Sequence, residues 1–276
     1  MITVTLGEIR FFGVTPYYFF AGLAMLIAMI PAVVVMLKKG EDLRWFGWQF
    51  LFSLLGLLLG GRFFGFLVEV FNCLYEGRGL TLTDVGHSAF VAYGGIFGFL
   101  LVYFLSLRWL EKHRDTFLRK DVQMDVQGVF VPLFHGTARF SCLFAGCCYG
   151  VEYDGPLMVH YFLQDGGERF CFPVQILEAG CLFLIFLGML VLYVRGKHPG
   201  ELVFRYLGCY AVCRFLIEFL RGDEVRGLYF GVSFSQIVSA VLLLFLVVRW
   251  CRKKKKANSP EPERIQTAEK WAEDQP

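Results

Sequence analysis

Charge is scarce in this chain. Only 18% of its 276 residues are Asp, Glu, Lys or Arg, against 56% hydrophobic residues and a mean hydropathy of +0.54. That balance excludes an ordinary soluble domain of this length. No internal repeat with paired broken helices is present, which argues against a transporter built on such repeats. The first apolar run has no strongly basic lead-in and no small-residue cleavage site, so no cleaved leader is expected. Nine cysteines occur, but their spacing matches no standard CxxC framework, so neither a metal nor another cofactor is expected.

Long apolar runs are abundant. A hydrocarbon core of about 30 Å needs about 20 apolar residues per helix. Suitable runs are Thr15 to Leu37, Phe46 to Phe71, Gly86 to Leu107, Val126 to Tyr149, Pro173 to Val194, Leu202 to Leu220 and Tyr229 to Trp250. They predict an all-α polytopic membrane protein, with about seven transmembrane helices around a polar, lipid-accessible cavity. Residues 1–250 form one transmembrane domain, and 251–276 read as a basic, disordered tail.

Lys and Arg alternate between the loops. One set carries Lys38, Lys39, Arg44, Arg108, Lys112, Arg114, Arg119, Lys120, Arg195, Lys197, Arg252 and Lys253 to Lys256; the other has little more than Arg10, Arg78, Arg169 and Arg226. The positive-inside rule then places the N-terminus outside and the C-terminus in the cytoplasm. Lys253 to Lys256 reads as a topology anchor, not a nucleic-acid patch. On the outer side, Val151 to Phe172 reads as a loop from Asp154, Gly155, Pro156, Asp165, Gly166 and Gly167, with a short strand or lid element over Met158 to Leu163.

Intramembrane charge is expensive and therefore informative. Tyr210, Arg214, Glu218 and Arg221 fall at i, i+4, i+8 and i+11, along one face of a helix. Arg62 and Arg139 add guanidiniums from two other helices. The candidate carboxylate partners are Glu69, Asp125, Glu178 and Glu218. Simple ion pairing satisfies this set; so does a lipid phosphate bound in bidentate fashion. His87 and His135 are packing residues or general bases near pH 7. Gly60-Gly61, Gly94-Gly95, Gly98, Gly136, Gly146 and Gly150 permit close helix approach or local irregularity. Cys181, Cys209, Cys213 and Cys251 read as apolar fillers, whereas Cys73, Cys142, Cys147, Cys148 and Cys171 lie toward the outer side.

In order, these motifs resemble the prolipoprotein diacylglyceryl transferase family from about Ile9 to Leu244. The resemblance is carried by Arg10-Phe11-Phe12-Gly13, Gly60-Gly61-Arg62, Tyr93-Gly94-Gly95, Asp125 and Pro132 upstream of Arg139, Gly150, then Pro173, Gln175 and Glu178. Tyr210, Arg214, Glu218 and Arg221 follow, and then Ser233, Ser235 and Gln236.

The resemblance implies a bacterial inner-membrane enzyme in which a lipobox cysteine thiol displaces glycerol phosphate from phosphatidylglycerol. Its partners are then phosphatidylglycerol, other membrane lipid and a lipobox-containing preprotein, with no nucleic acid. Arg139 and Arg214 take the phosphate and stabilise the leaving group. Tyr93 stands at the family's His, leaving His87 or His135 as candidate bases. Arg62, Tyr210, Glu218, Arg221, Gly94, Gly95 and Gly150 are expected at the substrate site. Phe12 replaces a Tyr, Ala138 and Ser141 replace Gly, Cys142 replaces Asn and Cys147 replaces Glu. Two alternatives stay open: a phospholipid-binding paralogue without this activity, and a thiol redox or metal-binding membrane protein centred on Cys142, Cys147, Cys148 and Cys171.

Overall fold

A computed structural model describes residues 2–5, 10–79, 90–113, 119–162, 167–222, 228–229 and 231–257. Among these residues the helices are α1 (Pro16–Lys39), α2 (Leu43–Glu76), α3 (Ala92–His113), α4 (Lys120–Ala145), α5 (Val174–Val194), α6 (Leu202–Ile217) and α7 (Phe234–Ala257). Six of them are long and apolar enough to cross a membrane. The exception is α6, whose 16 residues span about 24 Å. A 3₁₀ turn at Glu218–Leu220 continues it, adding about 6 Å and bringing the segment to bilayer thickness. The expected sixth span, Leu202 to Leu220, is therefore a shorter α-helix with a tightened last turn.

Local chemistry sets the helix ends. Pro16 opens α1, where its missing N–H costs no bond, and Gly40 closes it in the left-handed conformation at φ 69°. Asp42 caps α2 by accepting from the Arg44 amide at 2.8 Å. Asp125, one of the candidate ion-pair partners, instead accepts from the amides of Gly200 (2.9 Å) and Leu202 (3.3 Å), tying the start of α6 to α4. The last helix runs to Ala257, so residues 251–257 are helical and not part of a disordered tail.

The core is aromatic where three helices meet. Phe50 of α2, Phe99 of α3 and Phe130 of α4 lie with ring centroids 5.1 to 5.9 Å apart. On the periphery, Leu26, Leu59, Leu184 and Leu244 are each at least 66% exposed, as a lipid-facing surface requires.

Glycines bring α2 and α3 together. A Cβ at Gly98 would lie 2.1 Å from the Gly56 carbonyl oxygen, and one at Gly94 would lie 2.4 Å from that of Gly60. No side chain fits between such backbones. Gly98→Ala is therefore expected to lower stability by about 1 to 3 kcal/mol, the usual cost of overpacking. Reversible unfolding in mixed micelles checks this.

Among the described residues, two small sheets accompany the helices. The first contains β1 (Ile2–Thr5), β2 (Val159–Phe162) and β3 (Glu168–Cys171) in the order β1-β2-β3. Ile2 is parallel to Val159, and Val159 is antiparallel to Cys171. The expected strand within Met158 to Leu163 is thus present, and it has two partners. A second hairpin pairs β4 (Leu228–Tyr229) with β5 (Val232–Ser233).

At the lysine-rich end, Glu201 accepts from Arg249 at 2.6 and 2.7 Å and from Lys253 at 2.7 Å. The Arg249 hydrogen bonds foremost lower its carboxyl from the usual 4.5 to about 2. The pair's contribution is then complete above pH 4.5 and fades as the pH falls toward about 2. The thermal stability of wild type and Glu201→Gln should converge across that window.

Candidate functional site

Five segments converge on one buried carboxylate cluster. Glu178, one turn into α5, is 2% exposed and accepts from three side chains. Arg139 Nη2 of α4 donates to its Oε1 at 2.7 Å, as does the Tyr210 hydroxyl of α6 at 2.9 Å. Arg214 Nη1, one turn beyond Tyr210, donates to Oε2 at 3.2 Å. Arg214 Nη2 meets Glu218 Oε2 at 2.8 Å, and Arg221 Nη1 lies 3.8 Å from the same oxygen. The predicted face of Tyr210, Arg214, Glu218 and Arg221 is realised, although Arg221 lies beyond the helix in extended backbone.

The hydrogen-bonding capacity of the cluster is not fully used among the described residues. Two guanidiniums share Glu178, and the buried Nε–H of Arg139 has no acceptor among the described residues. Buried donors are rarely left this way. Arg214 Nη2 also reaches Ser235 Oγ at 3.4 Å, which brings α7 to the cluster.

The remaining expected residues divide into two groups. Tyr93 enters from α3: its hydroxyl lies 2.7 Å from Ser239 Oγ, and its ring lies 5.4 Å from Tyr210. His135 sits one turn before Arg139, its ring 4.8 Å from that of Tyr210. Neither His135 ring nitrogen has a partner among the described residues. His87 falls outside the described residues.

Arg62 and the glycines stand elsewhere. Arg62 is exposed on α2. Gly94 meets the α2 backbone, and a Cβ on Gly95 would lie 2.9 Å from the Phe90 ring, so both are packing positions. Gly150 bridges to Arg221, and a Cβ there would lie 2.4 Å from the Phe172 carbonyl oxygen. It holds the chain that presents Arg221.

In sequence Glu178 is one of four candidate carboxylates and lies in the segment with Pro173 and Gln175; the fold makes it the hub.

The cysteines also regroup. The Sγ atoms of Cys142, Cys147 and Cys148 lie within 4.8 Å of one another. Cys171 is not in that group; it packs on β3 with Val4, Val159 and Tyr161, where burial pushes its thiol up.

The fold and the site together define a polytopic all-α membrane protein with a buried Arg–Glu–Tyr cluster, the kind of intramembrane charge that marks a functional site. The profile of the prolipoprotein diacylglyceryl transferase family matches residues 4–252, and the chain belongs to that family. Similar proteins include phosphatidylglycerol–prolipoprotein diacylglyceryl transferase 2 of Clostridium perfringens, 28% identical over 87% of this chain and 91% of the relative. The Clostridium tetani transferase is 28% identical over 80% of this chain and 88% of the relative. That of Campylobacter hominis is 29% identical over 71% and 70%.

Proposed function

We propose that this chain transfers the diacylglyceryl group of phosphatidylglycerol to the lipobox cysteine thiol of a prolipoprotein. The observation that carries this reading is the pair Arg139 and Arg214, held together by Glu178 with the Arg139 Nε–H lacking an acceptor among the described residues. Such guanidiniums suit a phosphate diester. As the thiol sulfur bonds to the glyceryl carbon, that carbon's bond to the phosphate oxygen breaks. Charge grows on the departing glycerol phosphate, where fixed cations in a water-poor site help most.

The thiol proton goes to a base, and His135 is the group best supported for that role. It is buried beside Tyr210, and both its nitrogens lack protein partners among the described residues. Tyr93 is less suited, because an ordinary phenol titrates near 10 and this one is bonded to Ser239. His135→Ala should therefore cost about a hundredfold or more in turnover, whereas Tyr93→Phe should cost less than tenfold. Initial rates of both variants, normalised to folded protein, check the division.

We further propose a bacterial inner-membrane location with the N-terminus outside and the C-terminus cytoplasmic; the alternation of Lys and Arg between loops supports that orientation. The deciding experiment supplies purified protein in phosphatidylglycerol vesicles with a lipobox peptide. Thioether product and released glycerol phosphate are expected, and their absence from well-folded wild type overturns the proposal. The Tyr93 to Ser239 bond favours a second reading, a paralogue that binds the lipid without alkylating thiols. That reading predicts phosphatidylglycerol copurifying in an Arg214-dependent manner, with no thioether.

A further inference from the structure

Three sulfurs meet where α4 ends, although their sequence spacing resembles no metal motif. Cys142 lies on the last turn of α4, and Gly146 stops that helix at φ 66°. The Cys147 amide then turns back to the Cys142 carbonyl at 3.2 Å. Cys148 follows at φ 55°, a left-handed conformation that side-chain-bearing residues seldom adopt. This reversal brings all three Sγ atoms within 4.8 Å of one another.

We infer that Cys142, Cys147 and Cys148 form a binding site for one thiophilic d10 cation, of which Cu(I) fits best. A trigonal ion with metal–sulfur bonds of about 2.3 Å holds its three sulfurs about 4 Å apart, so small side-chain rotations suffice. Soft thiolates select Cu(I), zinc or iron–sulfur clusters. Zinc usually takes four ligands, and no His, Asp or Glu joins this group among the described residues. A disulfide would join two of the sulfurs and strand the third.

Compensating charge is at hand. Arg139 Nη1 lies 4.0 Å from Cys142 Sγ, so a guanidinium faces the first ligand. All three cysteines are partly buried, which shields the thiolates while leaving them within reach of a small ion. On binding, the thiol protons pass to solvent and three sulfur–metal bonds form, with no change of oxidation state. The inference stands apart from the transferase reading, because its readout is metal affinity and not turnover.

The test uses the full chain in detergent micelles, reduced and anaerobic, titrated against a coloured Cu(I) chelator. Wild type is expected to withdraw one equivalent of copper. The C142S/C147S/C148S variant should withdraw none, whereas C209S and C251S should match wild type. Retention of that equivalent by the triple variant, or no withdrawal by wild type, overturns the proposal. A second measurement needs only wild type: mass-mapped alkylation with and without Cu(I). Selective protection of Cys142, Cys147 and Cys148 supports the site, and identical labelling with and without copper removes it.

Discussion

Arg139→Ala is expected to lower diacylglyceryl transfer by about a hundredfold to a thousandfold, the usual loss when one preorganised donor to a developing anion is removed. The fold should survive. Glu178 keeps the Arg214 guanidinium at 3.2 Å and the Tyr210 hydroxyl at 2.9 Å, so truncating Arg139 does not strand the carboxylate. The thermal midpoint should therefore move little while the rate collapses. Arg139→Lys sharpens the test: a lysine restores charge but cannot divide a planar fork between Glu178 and a phosphate. Its rate should remain well below wild type. An alanine variant with near-normal turnover would remove Arg139 from the reaction.

Glu178→Ala should do the opposite, damaging the protein before the chemistry can be measured. It removes the acceptor shared by Arg139, Arg214 and Tyr210; Arg214 keeps Glu218 at 2.8 Å, but the buried Arg139 guanidinium is left without a carboxylate among the described residues. Breaking a buried ion pair from one side costs about 3 to 5 kcal/mol. Glu178→Gln keeps an acceptor oxygen of similar shape, so a smaller loss is expected. Because Arg139 and Glu178 touch, the Arg139→Ala/Glu178→Ala double variant should be less destabilised than the sum of the single changes. Unfolding in mixed micelles measures all three differences. If Glu178→Ala proves as stable as wild type, Glu178 is not the hub of the cluster.

Much of the fold was legible because a bilayer restricts what a chain can do. Backbone groups within hydrocarbon must bond internally, so long apolar runs become helices and their charged flanks become loops. The run from Leu202 still hid its tightened end, since hydropathy does not separate an α-helical from a 3₁₀ turn. Tyr210, Arg214 and Glu218 were legible because periodicity puts them on one face, whereas Arg221 joins them from extended backbone.

Partners were harder to read. Composition shows that Asp125 and Glu178 are costly, but not that one caps α6 while the other joins two arginines. Proximity in sequence also misled. Gly94 and Gly95 adjoin Tyr93, but Tyr93 turns toward Ser239 while Gly94 turns toward α2. The sequence groups Cys142, Cys147 and Cys148 with Cys171, but which three sulfurs meet depends on a left-handed turn and not on a fixed residue spacing.

The parallel pairing of β1 with β2 places the first strand in debt to a segment made much later. Ile2 to Thr5 can find Val159 to Phe162 only after α4 has been synthesised, so this contact has one of the longest sequence separations in the fold. The sheet must then assemble after the first four helices exist, and a nascent chain arrested at the end of α4 would carry β1 with its edge unpaired.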